Sequence, residues 1–385
     1  MTLPPGIIPT EIHVPGTIHF APGAVDRVGE AAAPLGTRAF LVTGGCSLKQ
    51  GGVLDRITGR LAVAGVTWIL HPVKGEPDVA AVDAAVRSAR AGGCDLVIAA
   101  GGGSALDLGK AVAGMLANDG SILEYLEGAG PVRAMARDPA PCIAVPTTAG
   151  TGSEATKNAV ITADTPVGRA KRSFRDVRLV SRVAIVDPDL MVSCPPAVTA
   201  ACGMDAVCQL VESLTSLNAT AVTDGLAVLG LEAAGRSLGR AVRHGDDLAA
   251  RTDLAYAALL SGITLSHAGL GAVHGLASPL GAAIPVPHGH ACAVLLPRVT
   301  RANLAALGGG RGEARTVAAY DRAAAALGET VEAFCARFEF AGLASFGLTE
   351  AAIPAIVAGA TSGSVRTNPV TLTPPELEEI LRRAR

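Results

Sequence analysis

Four side chains in the second half of the chain are of types that hold divalent metal ions. Asp205 and Gln209 are four residues apart in a helical pattern, so they share one face of a helix and can converge on one point. His274 and His288 supply two imidazoles farther along the chain. The pattern indicates a metal site if the fold brings these residues together, although a buried Asp or His is also commonly a hydrogen-bonded structural group.

A glycine turn forms a second candidate site. Gly101, Gly102 and Gly103 follow a short apolar run and precede a helical pattern. At such a junction the main chain can approach a pyrophosphate closely, and its amides and the helix dipole bind the negative charge. By itself, however, the turn is equally consistent with a tight connection between a strand and a helix.

A hydroxyl-rich loop, PTTAGTGSE at 146–154, follows another apolar run. Three threonines and a serine in so short a segment offer several hydrogen-bond donors. Ligands of open α/β sheets bind at the carboxyl ends of strands, where this loop is expected. Two such loops in one domain favour a dinucleotide site over a solvated loop.

The elements that would position these loops alternate between strand and helix. The runs TRAFLV, VTWIL, DLVIAA and CIAV read as buried strands, and amphipathic helical patterns separate the first three. This alternation predicts a doubly wound, Rossmann-like α/β domain over residues 1–188. From 189 to 385 the patterns are long and helical, which predicts an all-helical second domain.

Composition excludes several classes of partner. The net charge of -2 and the 3% aromatic content give no footprint for nucleic acid or for an anionic membrane. The eight cysteines are scattered without a CxxC pair, so reduced thiols are expected. The N-terminus lacks a basic stretch followed by an apolar run, which predicts a cytoplasmic protein that acts on a small molecule.

Together these segments resemble the iron-containing alcohol dehydrogenase family, which includes glycerol dehydrogenase and maleylacetate reductase-like members. The resemblance rests on GGGSALDLGK, PTTAGTGSEATKNAVI, AIVDPDL, CGMDAVCQLVES and AGLGAVHGLASPLGAAIPVPHGHACAVLLP. It implies a dehydroquinate synthase-like fold, in which a dinucleotide-binding domain precedes a helical metal and substrate domain. It also implies hydride transfer between NAD(P)H and a small aldehyde or ketone, or the corresponding alcohol, assisted by Fe²⁺ or Zn²⁺.

The resemblance assigns roles to residues that match the family's motifs. The implied pyrophosphate contacts are Gly102, Gly103, Ser104 and Asp107. The further cofactor contacts are Thr147, Thr148, Thr151 and Ser153, with Lys171 near the ribose. The implied metal ligands are Asp205, Gln209, His274 and His288, and the two histidines would also serve the chemical step.

The chain departs from the family at three positions. Gln209 stands where a histidine is usual, and its neutral amide oxygen is a weaker ligand. Ser278 replaces a histidine that is thought to relay the alcohol proton, so His267, on about the same helical face as His274, is the substitute predicted here, with His290 as an alternative. Gly44 replaces an aspartate that binds the adenosine ribose, so NADP(H) should be tolerated and even preferred.

Three other functions remain open at this stage. The substitution at Gln209 favours a metal-independent reductase of an oxo acid, similar to maleylacetate reductases. A cyclising lyase similar to dehydroquinate synthase would need a basic cluster for a phosphate, and lysines are few in the second half. A dinucleotide-binding sensor without turnover is the non-enzymatic alternative. A homodimer is expected, in which the segment IHVPGTIHFAP adds a strand to the partner's sheet.

Overall fold

The structure is a computed structural model that describes residues 11–45, 47–165, 168–360 and 363–385. Cys46, one of the eight cysteines, lies outside these residues. The chain divides into two compact units, which are described separately here. Within the described residues, the N-terminal unit comprises 13–45, 47–148, 152–165 and 168–194, and the helical unit comprises 11–12, 149–151, 195–360 and 363–385.

The N-terminal unit is built on a parallel sheet of six strands, as the alternating pattern predicts. The strand order in space is β1-β8-β5-β4-β2-β3. Two further strands, β6 and β7, form an antiparallel hairpin that the sequence reading missed. The strands are β1 (Thr17–Phe20), β2 (Arg38–Thr43), β3 (Thr67–Pro72), β4 (Leu96–Gly101), β5 (Cys142–Pro146), β6 (Asn158–Thr165), β7 (Gly168–Arg175) and β8 (Val183–Val186).

Helices cover both faces of this sheet. They are α1 (Val28–Ala32), α2 (Ser47–Gln50), α3 (Val53–Val63), α4 (Val79–Ala91) and α5 (Gly103–Leu116). Along β4, Val97 belongs to the core cluster that includes α4 and α5, whereas Leu96 and Ile98 belong to the cluster that includes α1 and α3. A strand that is buried on both faces must be apolar at successive positions, and this explains the continuous run LVIAA.

The strand order reverses direction between β2 and β4. The chain passes from β2 outward to β3 and then returns to form β4 on the other side of β2. In open α/β sheets such a switch point leaves a crevice at the carboxyl ends of the two strands, and ligands bind there. Gly44 follows β2 and Gly102 follows β4, so both lie at this point.

The helical unit confirms the prediction for the second half of the chain. Its helices are α6 (Pro196–Thr215), α7 (Ala221–Arg243), α8 (Leu248–Ala268), α9 (Ala272–Ala283), α10 (His288–Gly308), α11 (Ala314–Leu327), α12 (Val331–Ala336), α13 (Ile353–Ala360) and α14 (Pro374–Ala384). Among the described helices, α6 is long and apolar enough to cross a membrane by length and composition, and 78% of its apolar window is buried within the protein. A helix that is apolar on all sides and packs against α7, α8 and α10 is typical of a core helix.

Two breaks in the helical unit determine where the predicted ligands lie. Between α8 and α9 the chain turns by 100°. Gly269, which ends α8, has a φ of +77°, a conformation that side-chain-bearing residues seldom adopt. The second break, between α9 and α10, places His288 at the first position of α10. His274 and His288 therefore both lie near the N-terminal ends of their helices, and a short loop connects these two helices.

Candidate active site

The switch point of the sheet is formed by main chain. The Gly44 amide donates to the carbonyl of Ala100 at 2.8 Å, which holds the ends of β2 and β4 together. Gly101 has a φ of +156°, and a Cβ there would lie 2.7 Å from the Cβ of Ala105 and 2.9 Å from the nitrogen of Gly44. Only glycine fits this junction without displacing its neighbours.

The first turn of α5 presents amides beside this junction. Gly102 is the N-cap residue, and no side chain caps the helix there. Gly102, Gly103 and Ser104 are half-buried, so this turn is partly accessible to solvent. Uncapped amides at a helix N-terminus bind anions, and the resemblance predicts a pyrophosphate at this position.

The hydroxyl-rich loop continues the same edge of the sheet. The Thr147 amide donates to the carbonyl of Gly101 at 2.9 Å, which joins the ends of β4 and β5. Thr148 lies against Gly102, since its Oγ1 would be 3.4 Å from a Cβ placed there. Thr151 falls in the segment 149–151, which belongs to the helical unit. The structure thus brings Thr147 and Thr148 to the glycine turn.

Two predicted cofactor contacts, Asp107 and Ser153, bond to each other. The Ser153 hydroxyl donates to Oδ1 of Asp107 at 2.6 Å, and the amide of Val160 donates to Oδ2 at 3.1 Å. The buried ammonium of Lys110 donates to the Ser153 carbonyl at 2.8 Å and to Oγ1 of Thr156 at 2.6 Å. These bonds tie the hydroxyl-rich loop to α5, so Asp107 and Ser153 position the loop.

The N-terminal unit also holds Lys171 and Glu154, in different surroundings. Lys171 lies on β7, and its ammonium forms an ion pair with the partly exposed carboxylate of Glu76. Glu154 follows Ser153 and is 2% exposed. Burial raises the pKa of Glu154 to about 7, although Lys110 nearby opposes the shift.

In the helical unit three of the predicted metal ligands converge. Oδ1 of Asp205 on α6 lies 3.3 Å from Nε2 of His274 on α9 and 3.7 Å from Nε2 of His288 on α10. Ligand atoms bound tetrahedrally to one ion at about 2.0–2.3 Å are separated from one another by roughly 3.3–3.8 Å. The spacing of Asp205, His274 and His288 therefore fits one divalent metal ion.

A close helix contact brings His288 to this point. A Cβ on Gly289 would lie 2.3 Å from the carbonyl oxygen of Ala201, so the first turn of α10 touches the main chain of α6. Glycine at 289 permits this approach, and the adjacent His288 then reaches Asp205. Any larger residue at 289 would push α10 away from α6.

Glu212, which the sequence reading did not single out, orients His274. Its Oε2 accepts from Nδ1 of His274 at 2.5 Å, and its Oε1 accepts from the amide of Val273 at 2.7 Å. Because Nδ1 donates to the carboxylate, we assign the proton to Nδ1, and Nε2 keeps its lone pair toward Asp205. A carboxylate that fixes the tautomer of a histidine in this way is characteristic of metal sites. Its helical spacing from Asp205, seven residues or two turns, was the signal available in the sequence.

Cys292 was also missed and lies within the same cluster. It follows His288 by one helical turn on α10, and its Sγ lies 3.7 Å from Nε2 of both His274 and His288. Burial would raise the pKa of this thiol, but hydrogen bonding from Cys208 and the nearby imidazoles outweigh burial and hold it well below its usual value. Burial by itself would lower the pKa of His274, but the negative charges of Cys292 and Glu212 outweigh burial and raise it well above its usual value.

The remaining predicted site residues lie in other contacts. Oε1 of Gln209, which is 4% exposed, is hydrogen-bonded by the Ser261 hydroxyl at 2.7 Å. Nδ1 of His267 donates to the carbonyl of Ile263, one turn earlier on α8, at 2.7 Å. His290 packs against two phenylalanine rings, and its Nε2 donates to the Ala341 carbonyl at 2.7 Å. Ser278 is half-buried, one turn beyond His274 on α9.

Comparison with known proteins agrees with this arrangement. Residues 15–188 match the family model of iron-containing alcohol dehydrogenase, and residues 199–385 match the model of the Fe-containing alcohol dehydrogenase family, C-terminal. The chain is 41% identical over 286 residues to long-chain-alcohol dehydrogenase 1 of Geobacillus thermodenitrificans, covering 74% of this chain and 71% of that protein. It is 32% identical over 390 residues to NAD-dependent methanol dehydrogenase of Bacillus methanolicus, covering 97% of this chain and 100% of that one.

A solved structure shows the same fold. The crystal structure of a 1,3-propanediol oxidoreductase superposes with a TM-score of 0.87 at 33% sequence identity, covering 98% of this chain and 100% of that chain. The glycine turn at the switch point, the convergent metal-type ligands and these matches along nearly the whole length agree with one another. The chain belongs to the iron-containing alcohol dehydrogenase family.

Proposed function

We propose that the protein transfers a hydride reversibly between NAD(P)(H) and a small alcohol, or the corresponding aldehyde or ketone, with the assistance of one divalent metal ion. The observation that carries the proposal is the convergence of Asp205, His274 and His288 at distances that fit a common ion. Relatives named for methanol, long-chain alcohols and 1,3-propanediol support an alcohol as substrate. The assembly expected from the sequence, a cytoplasmic homodimer, stays a prediction.

In this mechanism each side chain has a defined task. Asp205 supplies the negative charge, and His274 and His288 each offer Nε2. Glu212 holds the tautomer and direction of His274. When bound, the metal ion acts as a Lewis acid that polarises the substrate oxygen and lowers the pKa of the alcohol. His267, whose Nδ1 is bonded to Ile263, is the proposed proton relay and would exchange the proton at Nε2.

The dinucleotide would be held mainly by main chain. Amides of Gly102, Gly103 and Ser104 at the start of α5 bind the pyrophosphate, and hydroxyls of Thr147 and Thr148 add hydrogen bonds. Asp107 and Ser153 keep this loop in place. Thr151 and Lys171 remain proposed contacts from the resemblance. Gly44 at the end of β2 leaves no carboxylate to repel a 2′-phosphate, so NADP(H) is accepted alongside NAD(H).

The test combines metal analysis with turnover on one gently purified preparation. We expect close to one equivalent of metal per chain, oxidation of NADH or NADPH with an aldehyde panel, loss of activity on chelation, and recovery on adding metal. Binding of NADPH, followed by fluorescence, serves as the control and should survive chelation. Turnover that persists in metal-free protein would refute the metal mechanism and support the oxo-acid reductase, which the glutamine at position 209 favours.

A further inference from the structure

We propose that Cys292 is the fourth protein ligand of the metal centre, in place of Gln209, and that the centre therefore selects Zn²⁺ over Fe²⁺. The inference deepens the metal site of the proposed function, and its test reads metal coordination without turnover. Asp205, His274, His288 and Cys292 each offer one ligand atom, and all four atoms lie within 4.8 Å of one another.

The distances describe a four-coordinate site. Cys292 Sγ lies 3.7 Å from each imidazole Nε2, and Asp205 Oδ1 lies 3.3 and 3.7 Å from the same two nitrogens. These four separations fall in the range of roughly 3.3–3.8 Å expected for the edges of a tetrahedron around a divalent ion. Cys292 Sγ thus lies at a ligand-like distance from both imidazoles and within 4.8 Å of the Asp205 oxygen.

The competing donors are engaged elsewhere. Oε1 of Gln209 accepts a hydrogen bond from Ser261 at 2.7 Å. The other nearby thiol, Cys208, lies 4.0 Å from Nδ1 of His274, on the side of the ring that donates to Glu212. Since one imidazole nitrogen is committed to Glu212, only the Nε2 side can bind metal, and Cys292 is the thiol on that side.

Charge and ligand chemistry favour the same set. Asp205 and a Cys292 thiolate would supply two negative charges directly to a divalent ion, beside two neutral imidazoles. With Gln209 as the fourth ligand, the ligand atoms would supply only one negative charge directly to the ion, and the second would come from Glu212 through Nδ1 of His274. A thiolate is a soft ligand, and tetrahedral sites with sulfur and nitrogen donors are typical of Zn²⁺.

The test uses the full-length protein stripped of metal and titrated with Co²⁺. A thiolate bound to Co²⁺ produces a charge-transfer absorption band in the near ultraviolet, whereas nitrogen and oxygen ligands do not. We expect this band in the wild type at one equivalent of Co²⁺, and we expect Cys292→Ser to abolish it. Two matched variants, Cys208→Ser and Gln209→Ala, should both retain the band.

Metal affinity provides a second readout. In competition with a chelating dye, Cys292→Ser should weaken Zn²⁺ binding by roughly 100-fold, and Gln209→Ala by less than about threefold. In an anaerobic mixture of equal Zn²⁺ and Fe²⁺, the wild type should take up Zn²⁺, and the ratio of bound Zn²⁺ to bound Fe²⁺ should be lower in Cys292→Ser. Circular dichroism checks that each variant is folded.

The contrary results are equally definite. A wild-type Co²⁺ protein without the band overturns the proposal even if Cys292→Ser fails to fold, and so does loss of the band in Gln209→Ala alone. Preferential uptake of Fe²⁺ overturns the selectivity. If the protein shows the band but no turnover, Cys292 is a ligand and the proposed function is refuted. If it shows turnover without the band, the proposed function stands and Cys292 is not a ligand.

Discussion

The candidate cofactor region and the candidate metal region are built from different parts of the polypeptide. At the ends of β2, β4 and β5 the surfaces offered to a ligand are main-chain amides. The Ser153 hydroxyl donates to Asp107 and the Lys110 ammonium donates to the Ser153 carbonyl, and these bonds hold the loops. In the helical unit the ligand atoms are side chains from α6, α9 and α10. A main-chain site depends on the absence of side chains, whereas a side-chain site depends on the identity of each one.

This difference bears on the departure from the family's pattern at Gln209. The resemblance predicts a histidine ligand where this chain has Gln209, and Cys292, one helical turn from His288, lies close enough to His288 to serve in its place. At the glycine turn one residue cannot be replaced by another in this way, because Gly101 has no room for a Cβ. Mutations in the metal region should therefore lower metal binding and leave cofactor binding unchanged, and mutations in the glycine turn should lower cofactor binding and leave metal binding unchanged.

The largest loss of activity is expected from Asp205→Ala. This change removes the carboxylate that lies near both imidazoles, so metal content should fall below about a tenth of an equivalent and kcat/KM by at least about 1,000-fold. Elemental analysis and steady-state kinetics check this, and the dissociation constant for NADPH should stay within about twofold. Lost NADPH binding would contradict the separation of the two regions.

Gly101→Ala should break the main-chain region and spare the metal region. The new Cβ would meet Ala105 and the nitrogen of Gly44, so we expect NADPH affinity to fall by about 100-fold and the free energy of unfolding by roughly 2–3 kcal/mol. Calorimetry and urea titration provide the measurements. Gly59→Ala is the control: its Cβ would have nothing within 4 Å, and alanine in the middle of α3 should not destabilise the unit. Metal content should be normal in both variants.

Glu212→Gln sharpens the comparison inside the metal region. Glutamine keeps the size of the side chain but weakens its hold on Nδ1 of His274, so Zn²⁺ affinity should fall by about 10–100-fold. A chelator competition assay measures the change, and kcat at saturating metal should recover most of its value. An unchanged affinity would mean that Glu212 serves only the N-terminus of α9 through Val273.

Gly44→Asp tests the position in the main-chain region where a side chain is expected to discriminate between NADPH and NADH. A Cβ there would lie 3.3 Å from Cα of Gly101, a contact that a small shift relieves. The introduced carboxylate should repel the 2′-phosphate and raise KM for NADPH by about tenfold, with little change for NADH. Equal effects on both cofactors would show that the substitution merely distorts the turn.

Glu154→Gln should have the smallest effect on activity and a visible effect on stability. With a folded-state pKa of about 7 against an ordinary value of 4.5, the folded protein binds the proton more tightly than the unfolded chain. The stability from the neutral carboxyl is thus complete below pH 4.5 and lost as pH rises through 7, by about 3 kcal/mol. Urea titrations from pH 5 to 8.5 should show this decline in the wild type and a flatter profile in Glu154→Gln.

Local patterns in the sequence were sufficient for much of the fold. The run LVIAA and the glycines after it predict a buried strand that ends in a turn, because burial on both faces requires an apolar residue at each position. The hairpin of β6 and β7 was not recognised. Its second strand reads GRAKRSFR, and its exposed positions carry charged residues that mask any alternation.

The sequence by itself determined the α/β and all-helical halves of the fold, and it predicted the glycine turn and three side chains of the candidate metal site, Asp205, His274 and His288. These predictions follow from hydrophobic periodicity, from the conformational freedom of glycine and from the motifs of the family that the chain resembles. All three can be recognised in short segments of sequence. Only the tertiary structure decided that Cys292 lies beside His274, that Glu212 orients His274, and that Gln209 is bonded to Ser261. Those contacts depend on how closely α6, α9 and α10 approach, as at Gly289, and packing between distant segments determines that distance.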